Sequence, residues 1–165
     1  MNDEPDQAVS GPENRCFGCS PTNPIGLQLS FRTSGEQVEA DFVGRDDHCG
    51  VPGVVHGGIV MTAIDEAMGY VIHSVADSIS VTKSASTDFR RPVWVGAAHR
   101  VRARIDRIEG ADVFVSGEVV DANGKICARG RAHFVTLSPE RVKKAFGDRA
   151  AAAVRTVQAA RPARS

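Results

Sequence analysis

The hydrophobic period of this chain switches from two to helical and back again, and that double switch limits the possible folds. Between Gly58 and Val75, apolar residues recur at helical spacing: Val60, Ala63, Ile64, Ala67, Met68, Val71, Ile72 and Val75. On either side the period is two. In Glu36–Val43, Val38, Ala40 and Phe42 alternate with Gln37, Glu39 and Asp41. In Trp94–Ile108, Val101, Ala103 and Ile105 alternate with Arg102, Arg104 and Asp106. Such alternation predicts half-buried strands. Leu27–Phe31, Ile79–Arg90, Val113–Val120 and Lys125–Leu137 read as further strands, and Asn123-Gly124 as the turn of a hairpin. The predicted order is two strands, one long helix, then about four antiparallel strands. That order is α+β rather than a βαβ repeat. The apolar stripe of the helix is wide, and much of the remainder is Gly, Ala or Thr. The helix is therefore expected to be buried on most sides, as it can be if a long sheet curls around it.

Composition narrows the class. The 165 residues suit one domain, and 42% hydrophobic with 24% charged residues is an ordinary globular mix, not that of a disordered, collagen-like or disulfide-stapled chain. No uninterrupted apolar run nears the roughly 18 residues of a membrane helix, so no membrane role is expected. Lys+Arg and Asp+Glu both number 20, and a zero net charge argues against nucleic acid as a partner. Four cysteines are too few for a secreted scaffold, and MNDEPDQAVSGPENR lacks the pattern of a signal peptide. A soluble, reducing, cytoplasmic setting is the expectation. Residues 1–14 read as a mobile tail, 15–137 as the domain, and 138–165 as a helical extension frayed at its end. In that extension Ser138 is the N-cap and Pro139 the first helical residue.

The stretch VVHGGIVMTAIDEAMGY, Val54–Tyr70, carries the chemistry. His56-Gly57-Gly58 stands where loop becomes helix. Glycines there leave backbone N–H groups approachable, and a helix N-terminus has unpaired donors and partial positive charge. Such donors can polarise a carbonyl and hold a developing oxyanion. Asp65 follows Gly58 by about two helical turns. An acid on so apolar a helix must find a partner, reach water or act as a base. Paired glycines also serve packing alone, and Asp65-Glu66 also fits a solvated face. The residues by themselves leave these readings open.

VVHGGIVMTAIDEAMGY resembles the signature of hotdog-fold acyl-CoA thioesterases, in their phenylacetyl-CoA thioesterase-like branch. There the acidic residue follows the His by nine positions, as Asp65 follows His56. Pro52-Gly53, CFGCSPTNPIGL (Cys16–Leu27) and VTKSASTDFRRPV (Val81–Val93) resemble further elements, and the likeness spans residues 15–137. It implies a curved antiparallel sheet around one central helix. It also implies a homodimer or dimer of dimers, with sites at the subunit interface and hydrolysis of an acyl-CoA substrate without cofactor or metal. The Gly57 N–H would polarise the thioester carbonyl and His56 would position the loop or substrate. Asp65 of the partner subunit would act as base or nucleophile, and Thr82 would orient water. Some relatives carry Asn or Gln just before the His, where this chain reads His48-Cys49-Gly50. Gly58 and Glu66 are candidate substrate contacts. Asp65 and Glu66 differ by about 100° of helical rotation, so one of them faces the thioester.

Arg90 and Arg91, beside Pro92, are the candidates for CoA phosphates; Arg100, Arg102, Arg104, Arg129 and Arg131 read as a solvated sheet face. Cys16-x-x-Cys19 lacks a second Cys-x-x-Cys for a zinc site, with only His48, Cys49 and His56 left as ligand candidates; because the pair recurs within the resembling thioesterase subgroup, it is assigned to packing. Cys127 reads as core and Cys49 as a modifiable thiol near the site. His73, His99 and His133 read as surface or packing residues, and Phe89 and Trp94 as core or interface. Two other functions stay in view: non-hydrolytic acyl-CoA binding or sensing on the same fold, and a hydratase or dehydratase, whose His-and-carboxylate spacing is not found in this sequence.

Overall fold

The helix forms where the periodicity puts it. In the computed structural model, which describes residues 14–76, 78–138 and 140–148, α1 runs from Gly57 to Ala76. Before it come β1 (Phe31–Ser34) and β2 (Gln37–Val43), with a short 3-10 turn at Asp46–His48. After it come β3 (Ser80–Phe89), β4 (Ala98–Glu109), β5 (Asp112–Asp121) and β6 (Ile126–Thr136). The six strands form one antiparallel sheet in the order β1-β2-β4-β5-β6-β3. Thus β1 and β3 are its edges, and α1 packs on one face.

The alternating residues do what the period requires. Val38, Ala40, Val101, Ala103, Val113 and Val115 are buried toward the helix, where they meet Ala63, Ile64, Ala67, Val71 and Ile72. Burying a side chain of this size contributes about 1.5–3 kcal/mol. The opposite face is polar. Arg102 and Arg129 both reach Glu118, at 2.6 and 3.0 Å, and Arg100 pairs with Glu39 and Asp41. The arginines with these partners therefore form the expected solvated sheet face.

Several boundaries differ from the sequence reading, three of them for identifiable reasons. β1 begins at Phe31 rather than Leu27, because Gln28 adopts φ 54° and the Leu27 and Leu29 N–H groups donate to the carbonyls of Phe17 and Gly18. Leu27 and Leu29 are nonetheless buried. β4 begins at Ala98 rather than Trp94, because Gly96 turns the chain at φ 74°. Trp94 and Val95 instead form single bridges to Val54 and Gly44. β6 starts at Ile126, since the Asp121 carboxylate accepts the Asn123 and Lys125 N–H groups across the hairpin turn, where Gly124 takes φ 75°. At the other end of the sheet, residues 140–148 are helical, and the Ser138 hydroxyl accepts the Arg141 N–H as an N-cap. The tail over 1–13 and the frayed end over 149–165 lie outside the described residues.

The expectation that α1 is enclosed on most sides is only partly met. Gly58 and Met61 are exposed, and Thr62, Asp65 and Glu66 are half-buried, so one stripe of the helix is left open by the sheet. With twenty residues and a mean hydropathy of 1.2, α1 is also long and apolar enough to cross a bilayer, although no uninterrupted apolar run marks it as such. Its buried side packs as the core of this fold.

α1 comes close to the sheet over two glycines. A Cβ on Gly130 would stand 2.6 Å from Ile64 Cγ2, and one on Gly117 would stand 3.1 Å from both Ile64 Cγ2 and Met68 Cγ. Gly130→Ala should lower unfolding free energy by about 1–3 kcal/mol in denaturant titration, the usual cost of overpacking. Combined with Ile64→Ala, the loss should be less than additive. Stability unchanged in Gly130→Ala would show that the sheet and helix separate freely there.

Candidate active site

The loop from Arg45 to His56 presents the start of α1. The buried His48 organises it: its Nδ1 accepts the Arg45 N–H at 3.2 Å, and its carbonyl accepts the His56 N–H at 2.8 Å. Burial, with the Arg45 charge second, holds the His48 imidazole below its ordinary pKa. Gly50 packs against His56, where a Cβ would stand 3.0 Å from His56 Cα. In the sequence His48 reads as a zinc-ligand candidate and as a departure from the Asn or Gln of some relatives; a histidine inside a glycine-rich loop is the available signal for this structural role.

His56 caps the helix. Its carbonyl accepts the N–H groups of Ile59 and Val60 at 2.9 and 3.1 Å, and its Nδ1 accepts the Gly58 N–H at 2.9 Å. That bond places the proton of the neutral ring on Nε2. Gly57, as the first helical residue, has no carbonyl four residues back within the helix, so its N–H remains an unpaired helix donor. A Cβ on Gly57 would lie 3.3 Å from the exposed Phe89 ring, so glycine keeps this approach open.

Asp65 and Thr82 come together from α1 and β3, with the Thr82 hydroxyl donating to Asp65 Oδ1 at 3.1 Å. Burial raises the Asp65 pKa above its ordinary value, and the Thr82 hydrogen bond opposes the rise. The strand pairing slips between Thr82 and Ser84, a bulge of the kind that re-aims side chains. Eight residues separate Gly57 from Asp65, about 12 Å along the helix. Within one chain, therefore, the donor and the carboxylate are not in reach of a single small group.

Glu66 goes elsewhere. Its carboxylate lies 3.3 and 3.4 Å from Cys16 Sγ, and a Cβ on Gly18 would stand 2.4 Å from it. Burial, and then the Cys16 charge, pushes Glu66 up to about 7, while the Cys16 thiol is brought down to about 5, chiefly by its hydrogen bond with Cys19. Arg91 Nη1 donates to the Ile126 carbonyl at 2.6 Å, and Arg90 is exposed beside it. Both backbone N–H groups bond to the Cys127 carbonyl, which fixes this turn directly after Phe89. A polar depression of about 540 Å³ lies on the outer sheet face, lined by Arg102, Arg104, Arg129 and Arg131 among others; it contains none of the candidate site residues.

Cys127 is buried, as expected of a core residue, and Cys49 is exposed. His99 is buried, and His133 bonds to Asp112 and stacks on Phe114. Phe89 and Trp94 are exposed.

The His56 cap can be tested directly. His56→Ala removes the acceptor of the Gly58 N–H. Its amide exchange should then quicken about fivefold, corresponding to roughly 1 kcal/mol for one hydrogen bond. Ile64 and Val71 exchange should not change. Unaltered exchange at Gly58 would mean that the imidazole does not hold it.

Comparison with known proteins places this geometry. The thioesterase superfamily model matches residues 52–128, which include the His56 loop, all of α1 and Thr82. An uncharacterized protein from Schizosaccharomyces pombe is 28% identical over 110 residues, 64% of this chain and 63% of its own length. The acyl-coenzyme A thioesterase THEM4 of Bos taurus is 31% identical over 93 residues, 56% of this chain and 38% of the relative. The chain thus spans less than two thirds of the length of these relatives. Among solved structures, the E. coli PaaI protein from the phenylacetic acid degradation operon superposes with a TM-score of 0.62 at 17% identity, over 68% of this chain and 81% of that one. The order of strands around one helix, the His-Gly-Gly loop and the matched region agree: residues 52–128 are similar to the thioesterase superfamily, and the fold is the hotdog fold seen in the solved structures of such proteins.

Proposed function

We propose that the protein hydrolyses an acyl-CoA thioester at a site shared by two copies of the chain. The observation that carries this reading is the Asp65–Thr82 contact on the open stripe of α1, within the region that matches the thioesterase family.

Thioester hydrolysis needs a polarised carbonyl, an activated water and little competing solvent. Gly57 offers the unpaired N–H and Asp65 the carboxylate, but about 12 Å of helix separates them in one chain. A twofold pairing brings the Gly57 of one copy toward the Asp65 of the other. The surface supports that pairing. β3 is a ten-residue edge strand with no buried position, and Val81, Phe89, Met61 and Trp94 are exposed apolar residues on or near it. A long bare edge invites another strand. Edge-to-edge pairing of β3 would continue the sheet and cover the open stripe of α1.

In the shared site the thioester oxygen accepts the Gly57 N–H, and His56 holds the following amide in place. Asp65 takes a proton from water as its oxygen attacks the carbonyl carbon, while Thr82 steadies the carboxylate. The tetrahedral oxyanion rests on the helix N-terminus. Collapse breaks the carbon–sulfur bond, and the proton passes to the departing CoA thiolate, leaving free acid and thiol. Arg90, exposed beside Phe89, is placed to meet the CoA phosphates. Arg91 is held by the Ile126 carbonyl and shapes the turn.

Thiol release should be measured on short, medium, long-chain and aryl CoA esters. Wild type should turn over at least one member. Asp65→Ala should lose about a hundredfold or more, the scale of a positioned base. Thr82→Val should lose about tenfold in kcat, as expected for one hydrogen bond to a charged group, while Thr82→Ser keeps the rate. Binding of the esters without thiol release would replace this reading with a binding or sensing domain. Turnover that survives Asp65→Ala would remove Asp65 from the mechanism.

A further inference from the structure

Cys16, Cys19 and Glu66 take no part in the hydrolysis proposed above, yet they converge from segments fifty residues apart. One ligand-capable atom from each lies within 4.8 Å of the others. We propose that these three side chains hold a thiophilic divalent cation, zinc foremost, which fastens the N-terminal loop to α1 next to Asp65.

The distances suit a cation between the groups. Zinc sits about 2.3 Å from thiolate sulfur and roughly 2.0–2.2 Å from carboxylate oxygen; a tetrahedral angle then separates sulfur and oxygen by about 3.5 Å. Cys16 Sγ lies 3.3 and 3.4 Å from the two Glu66 oxygens. The backbone around Cys16 is arranged for a sulfur that carries charge. The Gly18 N–H donates to Cys16 Sγ at 3.3 Å, and the Ser20 N–H donates to the Cys16 carbonyl, closing a tight turn over the pair. Gly18 itself is the space the carboxylate needs, since a Cβ there would lie 2.4 Å from Glu66 Cδ and Oε2.

Two sulfurs and one oxygen select a borderline-soft ion over magnesium or calcium. The fourth position is left for water. The anchored loop also bonds to the chain that leads into β1: the Leu27 and Leu29 N–H groups donate to the Phe17 and Gly18 carbonyls. The cation would thus tie the entrance of the sheet to the helix that carries Asp65. The assignment of Cys16 and Cys19 to packing rests on the recurrence of the pair among the resembling thioesterases, together with the absence of a second Cys-x-x-Cys that would complete a ligand set. Glu66, distant in sequence, supplies the third ligand missing from that count.

The test uses the full chain, stripped with chelator under a reductant and shown by thiol counting to have its four cysteines free. It is titrated with Co²⁺ alone and then with Zn²⁺. Wild type should take up about one Co²⁺ per chain with a thiolate charge-transfer band, which Zn²⁺ then displaces. Cys16→Ser and Cys19→Ser should each abolish the band and weaken Zn²⁺ binding about a hundredfold or more, and Glu66→Gln should weaken it about 10–100-fold. Cys49→Ser should behave as wild type. A readout on unmutated protein guards against misfolded variants: Zn²⁺ should protect Cys16 and Cys19, but not Cys49, from alkylation followed by mass spectrometry. No charge-transfer band in reduced wild type, a band that persists in Cys16→Ser, or equal alkylation with and without Zn²⁺ would each overturn the site.

Discussion

Close packing of one apolar helix into the curve of a six-stranded sheet is the constraint on which the rest of this structure depends. Ile64 and Met68 come so near β5 and β6 that a Cβ on Gly130 would collide with Ile64 and one on Gly117 would crowd both side chains. That approach fixes the face of α1 turned toward the sheet. It therefore also fixes the stripe turned away, on which Gly58, Met61, Thr62 and Asp65 stand. Core packing and candidate chemistry are two sides of one helix. A shift of α1 to relieve crowding at Gly130 would also move Asp65 relative to Thr82 on β3.

Helix geometry then divides the candidate machinery in two. The donor end, with His56 capping and Gly57 unpaired, is separated from the Asp65–Thr82 pair by about 12 Å. A single chain offers two half-sites facing the same open side, together with an unpaired β3 edge and exposed apolar residues around it. The symmetric pairing proposed above would cover the apolar surface, satisfy the edge strand and join the half-sites in one arrangement. This economy is the physical support for a shared site.

Much of the architecture is legible because periodicity is a local signal. The switch at Gly58 locates α1 to within a residue, and Asn123-Gly124 marks its hairpin. Local signals fail where one backbone angle or a distant partner decides the outcome. The left-handed Gln28 delays β1, and Gly96 delays β4, although the alternation of apolar residues runs through both. Among the candidate residues, the spacing singles out Asp65 and Thr82, which the fold brings into contact, and His56, which caps the helix. The surroundings of Glu66 are not legible, because a turn of about 100° along the helix carries it away from Asp65 toward Cys16 and Cys19, a contact no local pattern foretells. Nor does the chain itself show which arginines are occupied; Glu118 engages Arg102 and Arg129 from a neighbouring strand.

The shared site is the central claim, and subunit complementation tests it most directly. Asp65→Ala removes the carboxylate. Gly57→Pro removes the one N–H at a helix position that accepts proline. Each variant alone should be inactive in thioester hydrolysis. When the two are dissociated, mixed and reassociated, about half of the dimers are hybrids, and each hybrid has one intact site. Activity should then return to roughly a quarter of wild type. If reassociated mixtures that contain hybrids by mass stay inactive, the site does not form between two chains, and Gly57 and Asp65 do not act together across a subunit interface.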